Sequence, residues 1–205
     1  MSKLDDLIQA FCPDGVEYFE LQEIFKTRNG YTPSKSVAVY WKNGTLPWFK
    51  MEDIRQNGAL LSDSIEHITP KAVKGNLFEA GSVIISTSAT IGEHALILVD
   101  FLANQRFTCL TRKDEIKAIL DPKFVYYYCF VLDEWCRSNV NFSGFASVDM
   151  PGFHKFKFPL PPLKVQEEIV RILDKFTILE AELKVRSKQY TFYRDRLLSF
   201  KEAEK

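Results

Sequence analysis

The sequence predicts an α+β protein: a mixed α/β domain with a small sheet over residues 1–160, followed by one long C-terminal coiled-coil helix over residues 161–205. Three observations carry this prediction. A heptad pattern runs through the last quarter of the chain. Short apolar runs bounded by Gly, Asn and Ser turns mark several strands. Asp121-Pro122 opens a second, shorter helix with one apolar face.

In chain order, Ser2 caps a short helix whose Leu4, Leu7, Ile8 and Phe11 share one face. Pro13, Asp14 and Gly15 make a turn, and VEYFELQEIF runs from strand into a short helix. Residues 27–54 have little helical period and carry turn signals at Asn29-Gly30 and Asn43-Gly44, so they read as ordered loop and short strands. Thr69-Pro70 opens a brief helix over Lys71–Lys74. GSVIISTSATIGEHALILVD gives two apolar strands around a Ser/Thr/Gly turn, and RFTCLTRK gives a third. Phe124, Val125, Tyr128, Cys129, Leu132, Trp135 and Cys136 form the apolar face of the second helix. A polar loop then leads to the strand KFKFPL.

The last stretch organises the rest. Alternating steps of three and four residues land on Ile169, Ile172, Phe176, Leu179, Leu183, Arg186, Tyr190, Tyr193, Leu197 and Phe200, all apolar or aromatic except Arg186. This is a coiled-coil seam. Pro161 and Pro162 stop helix upstream, and no Gly or Pro interrupts the run beyond them. A rod of about 57 Å results, too long to lie on a domain whose radius of gyration is about 15 Å. An overhanging seam needs a second helix, and one copy supplies none, so the expectation is a two-fold dimer of antiparallel rods. A second stripe, Ile178, Val185 and Phe192, repeats every seven residues beside the seam and is expected to dock a second partner. The chain's own first helix is the alternative occupant.

Aromatic richness (17 Phe, 8 Tyr, 3 Trp) excludes a disordered chain. No apolar run approaches the roughly 18 residues of a membrane helix, and the start lacks a basic-then-apolar leader, so a cytoplasmic protein is expected. Cys12, Cys109, Cys129 and Cys136 lack paired spacing and read as buried free thiols. His67, His94 and His154 are scattered, so no metal site is expected. No phosphate-binding glycine loop or nucleophile elbow is present. A nuclease-like set can be assembled from Asp100, Glu115 and Lys117, but the same Glu-x-Lys spacing recurs at Glu182 and Lys184 inside the rod, where it carries no chemistry.

Net charge is zero, yet residues 24–57 hold Lys26, Arg28, Lys35, Lys42, Lys50 and Arg55 against only Glu52 and Asp53, a local +4 among aromatics. Cations suit phosphates and guanine edges, while Asn and Gln suit adenine edges. Candidate DNA contacts on this logic are Arg28, Asn29, Tyr31, Lys35, Trp41, Lys42 and Asn43, with Thr87, Ser88 and Thr90 in the hydroxyl-rich turn. Gln105, Arg106, Asn141, Ser143 and Lys155 complete the set. Trp48 reads as core.

These residues bring a family into view. The opening SKLDDLIQAFCPDGVEYFELQEI, then GYTP, YWKNGTLPW, the MEDI turn, STSATIG, ANQRF and SGFASVDMPGFHKFKFPLPPLKVQEEIVRILD resemble one half of a specificity (S) subunit of type I restriction-modification enzymes. QYTFYRDRLLSF is similar to the end of the spacer helix. The resemblance covers essentially the whole chain. It implies a target-recognition domain and a spacer helix, with two such pairs in a complete S subunit, each domain reading half of a split DNA target. It also implies antiparallel packing of the two helices, and no catalysis or cofactor in the S subunit itself. Methylation belongs to a modification subunit that binds S-adenosylmethionine, and cleavage to a restriction subunit that binds ATP and Mg. The rival expectations are a stand-alone nuclease and a coiled-coil scaffold without DNA binding.

Overall fold

The computed structural model describes residues 2–141, 144 and 146–200. Its elements are α1 (Lys3–Phe11), β1 (Tyr18–Glu20), α2 (Leu21–Ile24), β2 (Phe25–Asn29), β3 (Leu46–Phe49), α3 (Met51–Asn57), β4 (Leu60–Leu61), β5 (His67–Ile68) and β6 (Ser82–Ser86). β7 (His94–Ile97), β8 (Leu102–Ala103), β9 (Phe107–Arg112), α4 (Pro122–Ser138), β10 (Val140–Asn141), β11 (Ser147–Val148), α5 (Met150–Lys155), β12 (Lys157–Pro159) and α6 (Leu163–Leu198) follow.

A five-stranded sheet in the order β2-β9-β6-β7-β4 forms the centre, antiparallel except where β4 joins β7 in parallel. All five residues of β6 are buried. Because strand side chains alternate, Val83 and Ile85 enter one core while Ile84 enters the other. The first core packs the sheet on α4 through Phe124, Val125, Cys129 and Leu132. The second places the three-stranded sheet β5-β3-β8, with Trp48, Phe49 and Leu102, on the opposite face. Burying each large apolar side chain contributes about 1.5–3 kcal/mol, so covering both faces is what makes the sheet a scaffold.

Several expectations hold in detail. Ser2 accepts from the Asp5 N–H at 3.2 Å, and the Asp5 carboxylate returns to the Ser2 N–H at 2.8 Å. Asp121 caps α4 by accepting from the N–H groups of Lys123 (2.7 Å) and Phe124 (3.0 Å). The four cysteines are buried and unpaired, and burial pushes the Cys109 thiol up to about 12. Elsewhere the sequence reading falls short. MEDI opens a helix rather than a turn, and α5 sits inside the expected polar loop. The Thr69-Pro70 helix is a single 3-10 turn, Pro70–Ala72.

The long helix is present, and its root is built into the domain. Gln166 is fully buried, with its Nε2 donating to Ile119 O (2.8 Å) and Pro161 O (2.7 Å). The Asp174 carboxylate binds Lys123 at 2.7 Å and accepts from the Tyr127 hydroxyl at 2.8 Å. α1 lies along the same root, tied by the Lys3–Glu168 ion pair at 2.9 Å. Two expectations are corrected here. Ile169 and Ile172 are half-buried, and Ile169 packs on the domain's first core, so the open seam begins at Phe176. α1 contacts the root, not the second stripe, so it is not that stripe's occupant. From Phe176 onward the seam's apolar side chains are 55–85% exposed, and Ile178, Val185 and Phe192 are equally open.

Candidate nucleic-acid interface

Strand register decides which loops meet. Asn29 pairs with Thr108, Ser86 with Phe107, and Ile85 with His94. The end of β2, the start of β9 and the β6–β7 turn therefore lie at one end of the sheet. The turns are stitched together: Gly30 N–H donates to Phe107 O (3.0 Å), Tyr31 N–H to Ala103 O (2.8 Å), and Thr87 N–H to Arg106 O (3.0 Å). Val148 N–H donates to Thr87 O at 2.9 Å, and Ser88 bridges Ser147, which brings the β10–β11 hairpin alongside. Gly30 is required, because a Cβ there would sit 2.2 Å from the carbonyl oxygens of Ala103 and Asn104.

Tyr31 joins this cluster to a second one. Its hydroxyl donates to Ala72 O (3.0 Å) and accepts from Lys74 N–H (2.6 Å), while its carbonyl accepts from Trp48 Nε1 (3.0 Å). Around it stand the 3-10 turns Ala38–Tyr40 and Pro70–Ala72, joined where Thr69 Oγ1 donates to Val39 O at 2.9 Å. The exposed cations Lys42, Lys71, Lys74 and Arg106 carry no ion pair among the described residues. Asn43 and Ala89 adopt positive φ (58° and 65°), a region that Asn tolerates in turns and that is strained for Ala.

The local +4 of the sequence does not survive folding. Lys26 pairs with Asp114 (2.8 Å), Lys35 with Glu66 (2.6 Å), Lys50 also with Glu66, and Arg55 approaches Glu93 at 4.0 Å. Three acids from outside the window thus engage four of its six cations, Glu66 serving two of them, and bring the local +4 down to +1. The Lys35 and Lys50 ammonium groups hold the Glu66 carboxyl below its usual range. Lys35 also sits 3.3 Å above the Trp41 ring, which meets Trp48 edge-on.

The structure therefore divides the expected contacts. Asn29, Tyr31, Thr87, Ser88, Thr90, Gln105 and Arg106 come together at the sheet end, with Asn141 in the adjoining hairpin. Within it, Asn29 accepts from Thr108 Oγ1 (2.9 Å), Thr87 shares a hydrogen bond with Thr108 (2.9 Å), and Gln105 accepts from Thr32. Lys35, Trp41, Lys42 and Asn43 form the second cluster. Arg28, exposed and without an ion pair among the described residues, is stacked 4.0 Å over Phe78 and donates to Asn76 O at 2.7 Å, beside the Gly75 backbone that follows Lys74. Lys155 closes α5, which packs on α2 at the other end of β2, so it is not brought in. Ser143 lies outside the described residues. Sequence reasoning missed Lys71 and Lys74, whose only signal was two lysines flanking a Pro-started turn. Among the described residues no group of three acidic, His or Cys side chains is placed to hold a metal. The set Asp100, Glu115 and Lys117 accordingly builds no centre: Lys117 is occupied by Glu79 and Asp114 at 2.6 and 2.7 Å.

Residues 13–189 match the family model described as the type I restriction modification DNA specificity domain. The chain belongs to this specificity family. It is 53% identical over its whole length to the specificity subunit of the type I restriction enzyme EcoprrI from Escherichia coli, of which it covers 55%. It is 32% identical to the EcoR124I/EcoR124II specificity subunit, also from Escherichia coli, over 97% of this chain and 52% of that protein. It thus spans about half the length of the curated relatives it matches. The fold agrees as well. A chain solved in a study of complex assembly and conformational transition of the type I R-M system superposes with a TM-score of 0.70 at 21% identity, over 95% of this chain and 48% of that one. The HsdS subunit from Thermoanaerobacter tengcongensis superposes at 0.64, over 89% and 44%. No helix among the described residues is long and apolar enough to cross a membrane.

Proposed function

We propose that this chain is a non-catalytic module that recognises one half of a bipartite double-stranded DNA target for a type I restriction-modification system. The supporting observation is the convergence, at one end of the central sheet, of Asn29, Ser88, Thr90, Gln105 and Arg106 beside the unpaired Lys42, Lys71 and Lys74. Amides and hydroxyls on stitched turns are suited to base edges, and free cations to phosphates. The rod is the spacer. Its open seam pairs two copies, and its second stripe, Ile178, Val185 and Phe192, takes the modification subunit, with the restriction subunit joining the assembly. The module needs no cofactor of its own: S-adenosylmethionine is bound by the modification subunit, ATP and Mg by the restriction subunit, and the complex works in the cytoplasm.

Two recognition domains related by a two-fold axis read the same half-site in inverted orientation, so a dimer reads an interrupted palindrome. Gel-shift titration across salt concentrations tests the reading. Each cation that contacts a phosphate adds about 0.9 to the log–log salt slope. Binding with a steep slope and sequence preference supports recognition, while salt-independent or absent binding favours a scaffold.

A further inference from the structure

The flanks of the open seam carry charges that distinguish one pairing from its neighbours. Along one flank stand Lys175, Glu182, Gln189 and Arg196; along the other Glu180, Ser187 and Arg194. Among the described residues Glu180, Glu182 and Arg196 have no ion pair, and Arg194 pairs only with its neighbour Asp195, at 2.7 Å, while standing 6.0 Å over the Tyr190 ring of its own helix. An isologous antiparallel pair sets each flank against the same flank of the second copy. Because the domain itself uses Ile169 and Ile172, the seam available to a partner runs from Phe176 to Phe200, and its midpoint is Lys188.

We propose that two copies pair through antiparallel rods in the register centred on Lys188, with Arg186 of each copy packed on Tyr190 of the other. This rests on the dimeric reading above and specifies its geometry. In this register Leu179 meets Leu197 and Leu183 meets Tyr193. The Arg186 layer becomes a cation–π contact rather than a buried lone charge. On the flanks Glu182 comes level with Arg196, and Glu180 with Arg194, each pair offset by two residues or about 3 Å along the axis. Symmetry makes this four opposite-charge contacts.

The neighbouring registers lose them. Sliding the copies by one heptad, to a centre between Lys184 and Val185, brings Lys175 level with Arg196 and leaves Glu182 facing Gln189. Sliding the other way sets Gln189 against Arg196 and Ser187 against Arg194, so that neither flank joins opposite charges among the described residues. Only the Lys188 register joins apolar layers and opposite charges on both flanks.

Cysteine cross-linking of the full chain tests this, since all four native thiols are buried. In the proposed register Gln189 lies about 3 Å along the axis from its own copy, against about 13 Å in the Lys184–Val185 register and about 7 Å in the other. Q189C is expected to form a disulfide-linked dimer in a glutathione buffer. E182R is expected to weaken dimerisation about tenfold by turning two symmetry-related contacts repulsive, and E182R/R196E to restore it to within about threefold. A dimer by sedimentation whose Q189C variant does not cross-link, or whose double variant is not rescued, overturns the register and leaves the dimer standing. A monomer at micromolar concentration overturns the dimeric reading itself.

Discussion

Gln166 holds the backbone of Asp121: its Oε1 accepts the Asp121 N–H at 2.8 Å, while the Asp121 carboxylate caps α4. One buried amide thereby joins the root of the rod to the start of the domain's main helix. Its Nε2 is used as well, on Ile119 O and Pro161 O, so the side chain leaves no group unsatisfied. The rod's direction is in this way set by the domain rather than by a flexible linker.

Gln166→Leu keeps the volume and removes the partner of three backbone groups, the buried Pro161 O and the part-buried Asp121 N–H and Ile119 O. At about 1–3 kcal/mol for each unsatisfied group, partly recovered by relaxation, the expected loss is about 3 kcal/mol. Chemical denaturation of the purified variant measures it. A loss within about 0.5 kcal/mol, the size of an ordinary surface change, would show that the pin is not structural.

The docking of α1 should depend on pH. Hydrogen bonds from Arg171 and Lys3 hold the Glu168 carboxyl down at about 2, from an ordinary value of 4.5. A depressed carboxyl stabilises the fold above its unfolded value, and that contribution is lost as pH falls from 4.5 through about 2. Amide exchange in α1 should therefore rise over this window while β6 stays protected, and Lys3→Ala should begin the rise at higher pH. Exchange in α1 that is flat from pH 5 to 2 would contradict this.

Much of this architecture was legible from local rules. The α1 capping box, Asp121-Pro122 at the start of α4 and the strands around STSATIG all depend on neighbours in sequence. So does the rod, whose period needs no tertiary information. Features created by distant partners were not legible. α5 contains Pro151 and Gly152 and has no helical period; fully buried Phe153 holds it. Asp53, which makes MEDI a helix, accepts from Lys50 N–H at 2.8 Å but also from Ile65 N–H at 2.6 Å, twelve residues away. Of the interface, the residue types were readable and their grouping was not. The basic window is largely offset by Glu66, Glu93 and Asp114, and the 3-10 turn that carries Lys71 and Lys74 is tied to the site where the Tyr31 hydroxyl meets Ala72 O and Lys74 N–H.

Gly30→Ala should be the most damaging small substitution in the recognition face. The added methyl collides with two backbone carbonyls at 2.2 Å, which cannot move aside without opening the turns that present Gln105 and Arg106. A destabilisation of about 2–3 kcal/mol, in the range of backbone strain, is expected with loss of sequence-specific binding. Retained stability and binding would show that the stitched turns do not position the contacts.

Cations that are free and cations that are paired should behave differently. Lys74→Ala and Arg106→Ala are each expected to lower the salt slope of DNA binding by about 1. Lys35→Ala should leave the slope nearly unchanged, because Glu66 and the Trp41 ring already occupy its ammonium. Equal slope changes in all three variants would mean that Lys35 leaves Glu66 for DNA.

The central claim is that this chain reads a half-site and that two copies read it symmetrically. Selection of bound duplexes from a randomised library by the purified chain tests it most directly. The account predicts an interrupted palindrome: one short motif, its inverted repeat, and a gap of fixed length. In the proposed register the two Phe176 residues lie about 36 Å apart along the rods, a length equal to about 11 base pairs. An enriched but asymmetric sequence would contradict the two-fold arrangement, and recovery of the library without enrichment would contradict sequence recognition itself.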